Sequence, residues 1–275
     1  MDNLILVSSA PMAKLGDRKY YDLLGTIEVM RKIYDEFVVD GFELQLEPEW
    51  DRDNPPLTDV EFADWTKTPK YVFKEILELL NKEKLPIISV HANRDIGVYL
   101  CSNQERDLNK GKRLIYDSLF LSQNLGAKVC VFHLWDTWKT DFDINFQKKV
   151  FPDIAAQFPK VKASVENIPT HLIEYTPFSL VRLFNYVTLD LRWASMYNEL
   201  DMFESIAENI FNVHLRGRLE NDKWLLDHSS FGFYEALDKI ITKWKYAGLL
   251  TVEPEGKMDS SHFKSFVKAM KTLKT

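Results

Sequence analysis

Short apolar runs alternate with amphipathic segments along the whole sequence, and this alternation limits the folds open to the chain. It predicts eight β-strands, each followed by a helix, from residues 3–11 to a last helix at residues 260–274. That order, within 275 residues, is typical of one (β/α)8 TIM barrel of the α/β class. An open doubly wound sheet is the alternative, but no Gly-rich phosphate loop supports it. We therefore predict a single barrel domain over residues 1–275.

Six of the predicted strands end in one carboxylate or imidazole side chain. In a barrel the C-terminal ends of the strands meet at one rim, where active sites lie. A buried charge there must be paired or bound to a metal ion. Each residue alone would more simply be a core histidine or a rim salt bridge, so the set is judged jointly, and jointly it predicts one metal site. The six residues are His91, His133, Glu166, Asp190, His214 and Glu253.

Mixed carboxylate and imidazole ligands indicate which ions would bind. They suit Zn²⁺ or Mn²⁺, with Co²⁺, Fe²⁺ and Mg²⁺ as alternatives, better than Ca²⁺, which prefers oxygen ligands. Two residues before each candidate ligand, on the same strand face, five of six positions are small and polar, and we expect this layer to orient the ligands. The six positions are Ser89, Val131, Ser164, Thr188, Asn212 and Thr251.

Composition excludes several functional classes. The net charge is −6 and no block of Lys and Arg occurs, which argues against nucleic acid as a partner. No run approaches the roughly 20 apolar residues that span a bilayer. The first residues read as a strand and not as a signal peptide, so a cytoplasmic protein is expected. Cys101 and Cys130 do not suggest a disulfide framework, and Cys130 is expected to be a buried thiol.

Four of the strand ends carry a resemblance to a known family. The motifs SVENIP, TLDLRW, NVHLRG and TVEPEG, in this order and at βα-unit spacing, resemble the xylose isomerase-like TIM-barrel superfamily. That superfamily contains sugar isomerases, ketose epimerases, inosose dehydratases and endonuclease IV-type AP endonucleases. The resemblance implies that Glu166, Asp190, His214 and Glu253 are the shared metal ligands. Dimers and tetramers are common in it, so a homo-oligomer remains open.

The endonuclease branch differs from this sequence at its third zinc position. His91 and His133 match histidines that bind a further zinc in that branch. The His expected three residues after the sixth-strand Asp is Trp193 here, and the expected Asp-x-His after the seventh strand aligns with Leu226 and His228. Neither an indole nor an aliphatic side chain can bind zinc. Asp227 is the remaining substitute, so a phosphodiesterase acting on abasic DNA is kept as the alternative function.

The leading hypothesis is a divalent-metal-dependent isomerase or epimerase of a small sugar-like polyhydroxy carbonyl compound, with dehydration as the neighbouring chemistry. The metal ion would stabilise an enediolate, while Glu166 and Glu253 would remove and return the proton. Trp193 is either a stacking platform for the sugar or a hydrophobic rim residue. Arg192 and Arg216 either meet a substrate phosphate or carboxylate or neutralise acids of the rim. The candidate substrate-binding residues are Trp193, Arg192, Arg216, His228 and Glu47.

Overall fold

The structure of the protein, a computed structural model, describes residues 3–57, 63–226 and 231–274. Within these ranges the strands belong to one sheet of nine strands. The strands are Leu4–Ser8 (β1), Gly41–Gln45 (β2), Ile87–His91 (β3), Val129–Phe132 (β4), Lys162–Glu166 (β5), Val187–Asp190 (β6), Ile210–Glu220 (β7), Lys223–Leu225 (β8) and Leu249–Glu255 (β9).

Eight of these strands close into a parallel barrel. β1 to β6 pair in chain order, β6 pairs with β7, β7 with β9, and β9 returns to β1. β8 lies outside the ring, because it pairs antiparallel with the end of β7 and places Trp224 opposite Leu219. The predicted (β/α)8 barrel is therefore confirmed, with β9 as its eighth strand.

Helices connect the strands and cover the barrel. The longest, Glu105–Leu125 (α5), is followed by Gly126, whose φ of 73° gives the left-handed conformation that glycine adopts without strain. Gly126 is the C-terminal cap that the run GKRLIYDSLFLSQNLG predicts. None of the described helices is long and apolar enough to cross a membrane. The α-helices are Ser9–Met12 (α1), Leu23–Tyr34 (α2), Phe73–Glu83 (α3), Ile96–Leu100 (α4), Glu105–Leu125 (α5), Ile144–Ala155 (α6), Pro177–Val181 (α7), Leu191–Met196 (α8), Phe233–Asp238 (α9) and Phe263–Lys274 (α10). Short 3-10 helices occupy Ala13–Gly16, Ala63–Lys67, Leu200–Asn209 and Ser260–His262, and a π-helical turn occupies Lys239–Lys243.

The apolar core has two parts. The larger part lies between the barrel and its helices, and the outward-facing strand residues predicted for it are fully buried there. The smaller part fills the lower barrel interior with Leu6, Val129, Val131 and Leu249. Above these four side chains the interior becomes polar. The outward-facing residues of the larger part are Val90, Val165, Leu189, Val213 and Val252.

Three local expectations from the sequence differ from the structure: Thr68 and Pro69 predict a helix start, Pro152 predicts a break or kink in its helix, and a long loop is expected after the seventh strand. α3 begins at Phe73 and not at Pro69, because Tyr71 N donates to Trp50 O (2.8 Å) and Lys70 is held by backbone carbonyls. α6 continues through Pro152 to Ala155 instead of breaking there. The third difference is β8, which occupies part of a segment expected to be a loop.

Candidate metal centre at the barrel mouth

The predicted ligands meet because they end neighbouring parallel strands. His91, Glu166 and Asp190 are the last residues of β3, β5 and β6. In the register of the sheet, Asp190 is level with His214 of β7, and Glu253 of β9 lies two positions further along, level with Arg216. Side chains two positions apart on a strand share a face. These groups therefore point into the barrel at its C-terminal rim.

Glu166 is the centre of the cluster. Its Oε2 atom lies 3.1 Å from His91 Nε2, 3.1 Å from His133 Nε2 and 3.4 Å from His214 Nδ1. The carboxylate is 1% exposed, so these contacts form with almost no water. The structure thus brings both early-strand histidines to the same carboxylate.

His214 lies between carboxylates on both sides of its ring. Nδ1 is 3.4 Å from Glu166 Oε2 and 3.4 Å from Glu253 Oε1, yet it forms no hydrogen bond within the described residues. Two donors on one ion, each about 2.1 Å from it, are separated by about 3.0 to 3.4 Å in octahedral or tetrahedral geometry. The observed separations therefore fit atoms that share a cation.

Asp190 lies beside this group but is engaged elsewhere. Its Oδ2 is 3.3 Å from Arg216 Nη1, and its Oδ1 accepts a hydrogen bond from Trp193 N (3.1 Å) at the start of α8. The same guanidinium lies 3.3 Å from Glu253 and 3.3 Å from Glu255 through Nε. A role for Asp190 as a metal ligand, which remains a prediction, would require Arg216 to release Oδ2.

Glu43 is a buried carboxylate that sequence reasoning did not select. It is fully buried in the middle of β2, and its carboxylate accepts from Ser89 Oγ (2.7 Å) and Asn212 Nδ2 (2.9 Å). Thr251 Oγ1 in turn donates to Asn212 (2.8 Å). The polar layer that was expected to orient the predicted ligands thus directly contacts Glu43. In the sequence, Glu43 could have been selected because it is a charged residue in the middle of a strand that a barrel buries.

Two groups of side chains could hold a divalent cation. One is His91, Glu166 and His214, and the other is Glu43, His214 and Glu253. In each group the candidate donor atoms lie within 4.8 Å of one another, and all of these residues are buried. Imidazole mixed with carboxylate is the donor set of transition metals, and the unpartnered Nδ1 of His214 supplies a free ligand position. The residues present therefore fit a bound metal ion.

The pKa shifts of the side chains at this centre also indicate a place for positive charge. Burial opposes ionisation of Glu166, yet the adjacent imidazoles hold its pKa well below the usual range. Burial likewise opposes protonation of His91, but the hydrogen bond and charge of Glu166 raise its pKa to about 9. Burial itself raises the pKa of Asp190 to about 7. Without a metal ion, protons on His91 and His214, whose pKa values the carboxylates raise, provide positive charge at this centre, whereas burial lowers the pKa of His133.

A cleft of about 390 Å³ opens over this centre, which is the size range of small-ligand sites. Glu166, Glu253 and His133 line its floor, and Glu47 and Arg94 line one side. The guanidinium of Arg94 donates to Glu47 Oε2 (2.6 Å) and also pairs with Glu49, which accepts from Tyr20 (3.0 Å). Burial raises the pKa of Glu47 to about 7 although Arg94 opposes the shift.

Arg94 is a second residue that the sequence analysis missed. It follows β3 by three residues and so lies at the rim where active-site loops occur. Its position directly after the run IISVHAN was the available signal.

The rim arginines are paired with acidic side chains. Arg192 forms an ion pair with Glu255, which also contacts Arg216. Both guanidinium groups lie over the indole of Trp193, at 4.9 and 5.2 Å from a ring centroid. Of the two alternatives for these arginines, the structure therefore has the one in which they form ion pairs with the acidic side chains of the rim. These two side chains cover part of the Trp193 indole, so that part of the ring is not open for stacking on a sugar.

The tryptophans of the neighbouring loops have different environments. Trp50 and Trp135 are buried in the core, and Trp135 Nε1 donates to Pro169 O (2.9 Å). Trp138 is 83% exposed and stacks on His171. His228 and Asp227, the candidates in the loop after the seventh barrel strand, lie outside the described residues. Both cysteines are buried and unbonded to each other, as expected for Cys130.

Comparisons with known proteins identify the fold. No protein-family model matches the sequence, and no curated protein matches it. A solved L-ribulose 3-epimerase is similar with a TM-score of 0.64 at 14% identity, over 98% of this chain and 93% of that one. A D-allulose 3-epimerase from Methylomonas sp. gives 0.63 at 12% identity, over 99% and 95%. An AP endonuclease, family 2, from Brucella melitensis gives 0.59 at 15% identity, over 97% and 99%. The chain thus shares the (β/α)8 barrel fold of these 3-epimerases and of this AP endonuclease.

Proposed function

We propose that the protein is a divalent-metal-dependent isomerase or epimerase of a small polyhydroxylated carbonyl compound. The observation that carries the proposal is the pair of carboxylates, Glu166 and Glu253, that face one unpartnered imidazole nitrogen on the floor of the cleft, each at 3.4 Å. The fold is shared with sugar 3-epimerases, which supports the assignment.

His91, Glu166 and His214, whose donor atoms lie within 4.8 Å of one another, would hold the ion. Glu253, whose Oε1 is 3.4 Å from His214 Nδ1, and Asp190 would join them after a movement of their side chains. A divalent cation bound there would polarise a carbonyl oxygen and a neighbouring hydroxyl, which makes the C–H group between them acidic. The protein's own contribution is the buried, preorganised environment in which these carboxylates are fixed.

The two glutamates would exchange the substrate proton. They come from β5 and β9, on different sides of the mouth, and each lines the cleft. One carboxylate would remove the proton from the hydroxyl-bearing carbon next to the carbonyl, and the other would return a proton to the opposite face of that carbon. Epimerisation follows when the proton returns to the same carbon, and isomerisation follows when it returns to the neighbouring one.

A neutral substrate fits the cleft better than a phosphorylated one. Around the described part of the mouth, Arg94, Arg192 and Arg216 are all paired with carboxylates. Lys14 adds one exposed amine at the edge, but Glu47 and Glu253 line the same cleft. A phosphate would have to break an existing ion pair to gain a bidentate arginine. Carboxylates accept hydrogen bonds, so they suit the hydroxyl groups of a free sugar.

The second candidate is metal-dependent cleavage of abasic DNA. The arrangement that favours it is the pair of imidazoles, His91 and His133, on a single oxygen of Glu166, which a one-metal isomerase does not need. Trp193 and Leu226, at positions where zinc ligands were expected, oppose it, as does the net charge of −6.

Deuterium incorporation from solvent tests the proposal whichever product is formed. The metal-loaded protein is incubated in D2O with D-allulose, L-ribulose, D-tagatose and D-fructose, and proton NMR follows exchange next to the carbonyl. We expect exchange with at least one ketose, and none with Glu166→Gln. A matched control is Glu199→Gln, which removes another buried carboxylate, one bonded to Phe178 N (3.0 Å). No exchange with any ketose, together with incision of an abasic duplex, would establish the second candidate instead.

A further inference from the structure

Glu43 is a buried carboxylate for which the proposed reaction has no use. It lies in the middle of β2 and is 0% exposed. An ionised carboxylate in such a place is costly unless hydrogen bonds and a positive partner compensate it. Its surroundings should therefore reveal what it does.

The neighbours of Glu43 fix its orientation. Ser89 Oγ and Asn212 Nδ2 both donate to Oε2, at 2.7 and 2.9 Å. The amide of Asn212 cannot be reversed without loss, because its oxygen already accepts from Thr251 Oγ1 at 2.8 Å. Three strands of the barrel, β3, β7 and β9, thus hold this carboxylate in one position.

The carboxylate faces the ring of His214. The Nε2 atom of His214 lies 3.2 Å from Oε1 and 3.3 Å from Oε2 of Glu43. A carboxylate can only accept, so Nε2 must carry the hydrogen. In the neutral imidazole this leaves a lone pair on Nδ1, the atom that faces Glu166 and Glu253 at 3.4 Å.

We propose that Glu43 is a positioning residue that sets the tautomer and orientation of His214, so that Nδ1 binds the metal ion. A ligating histidine commonly donates its other N–H to a carboxylate, which fixes the ring and increases its basicity. The inference rests on the proposed function only in requiring a bound divalent cation. It assigns Glu43 no contact with the ion itself, although the side chain belongs to one of the two donor groups.

Glu43→Gln is the variant that tests the role. The amide oxygen can still accept from Ser89 and Asn212, which leaves the NH2 group facing His214 Nε2. The Nε2 hydrogen then loses its nearer acceptor, Oε1 at 3.2 Å, and keeps only the amide oxygen at 3.3 Å, which already accepts from Ser89 and Asn212. The tautomer with the hydrogen on Nδ1 is therefore favoured, and it blocks the ligand position. We expect Zn²⁺ affinity, measured by competition with a chromogenic chelator, to fall about 10- to 100-fold. Glu199→Gln, a buried carboxylate on a different part of the fold, should bind as the wild type does.

Imidazole nitrogen NMR of the zinc-loaded wild type tests the proposal even if the variant fails to fold. With diamagnetic Zn²⁺ and ¹⁵N-labelled histidine, we expect Nε2 of His214 to be protonated and Nδ1 to show the shift of a metal-bound nitrogen. A metal-bound Nε2 would overturn the proposal, because Glu43 would then be a ligand or a bystander. Equal Zn²⁺ affinity of Glu43→Gln and wild type would also overturn it but leave the metal centre standing. A wild type that binds no divalent cation would overturn both.

Discussion

Raising the pH should destabilise the metal-free protein through His91. Its pKa is about 9 in the fold, against 6.5 for an unperturbed histidine, because Glu166 outweighs the effect of burial. A raised pKa means that the stabilisation is fully present below pH 6.5 and is lost as the pH rises through 9. At roughly 1.36 kcal/mol for each pKa unit, the contribution is at most about 3 kcal/mol. Of this, about 1.6 kcal/mol should disappear between roughly pH 7.5 and 9.

That range separates His91 from the carboxyl groups. Burial raises the pKa of Glu47 and of Asp190 to about 7. Their effect on the free energy of unfolding therefore changes as the pH rises from about 4 to 7.5, and little of that change remains above pH 7.5. His214, whose pKa burial would lower but whose carboxylate neighbours raise well above its usual value, acts in the same direction as His91.

Urea unfolding of chelator-treated protein at pH 7.5 and 9 measures the effect. With a slope of up to about 3 kcal/mol per molar urea, the midpoint should fall by at least about 0.5 M. His91→Asn should reduce that difference and leave only the part that comes from His214. Saturating Zn²⁺ should also remove it, because the ion replaces the protons on the imidazoles. Equal pH dependence in His91→Asn and wild type would refute the electrostatic account of the centre.

Four further outcomes are expected. Glu166→Gln should lower turnover of any identified ketose by about 10² to 10⁴ with its circular dichroism unchanged, and retained activity would exclude its acid–base role. His91→Ala should lower the metal content measured by elemental analysis only if the ion uses His91, and an unchanged content would assign the ion to His214 and Glu253. Arg192→Ala, which removes a partner of Glu255, should leave the preference for a neutral ketose over its phosphate unchanged in competition assays, whereas a selective loss of phosphate binding would contradict the neutral-substrate proposal. Gly97→Ala should lower the melting temperature by an amount equivalent to about 1 to 3 kcal/mol, because its Cβ would lie 2.4 Å from Trp135 O. An unchanged melting temperature would mean that the backbone at Trp135 moves away at little cost.

The barrel was predictable because its signals are local and repeated. Each strand is a short apolar run, and parallel strands necessarily bring their C-terminal ends to one rim. The meeting of Glu166, His214 and Glu253 follows from that geometry alone. β8 was not predictable in the same way, because its three residues, KWL, alternate too briefly to be separated from a loop.

The role of Glu43 was missed for a different reason. The run GFELQLE alternates polar and apolar residues, and this period defines two strand faces but does not indicate which of them a closed barrel encloses. A polar face of a barrel strand can point inward, where Ser89 and Asn212 solvate it. The engagement of Asp190 by Arg216 could not be foreseen either. It depends on how far a long side chain reaches across three strands, and strand periodicity contains no such information.

Arg216 makes the mouth a place where one substitution could create a new ion site. Although burial disfavours its charge, Asp190 and Glu253 raise its pKa above the ordinary value, so the guanidinium is a permanent cation. An uncharged residue of similar length, such as methionine, would leave Asp190 and Glu253 as oxygen donors without the guanidinium that now pairs with them, while Glu255 would keep its ion pair with Arg192. Such a group suits hard ions like Mg²⁺ and Mn²⁺. Directed redesign of this barrel towards an oxygen-only cation site therefore has a defined starting position.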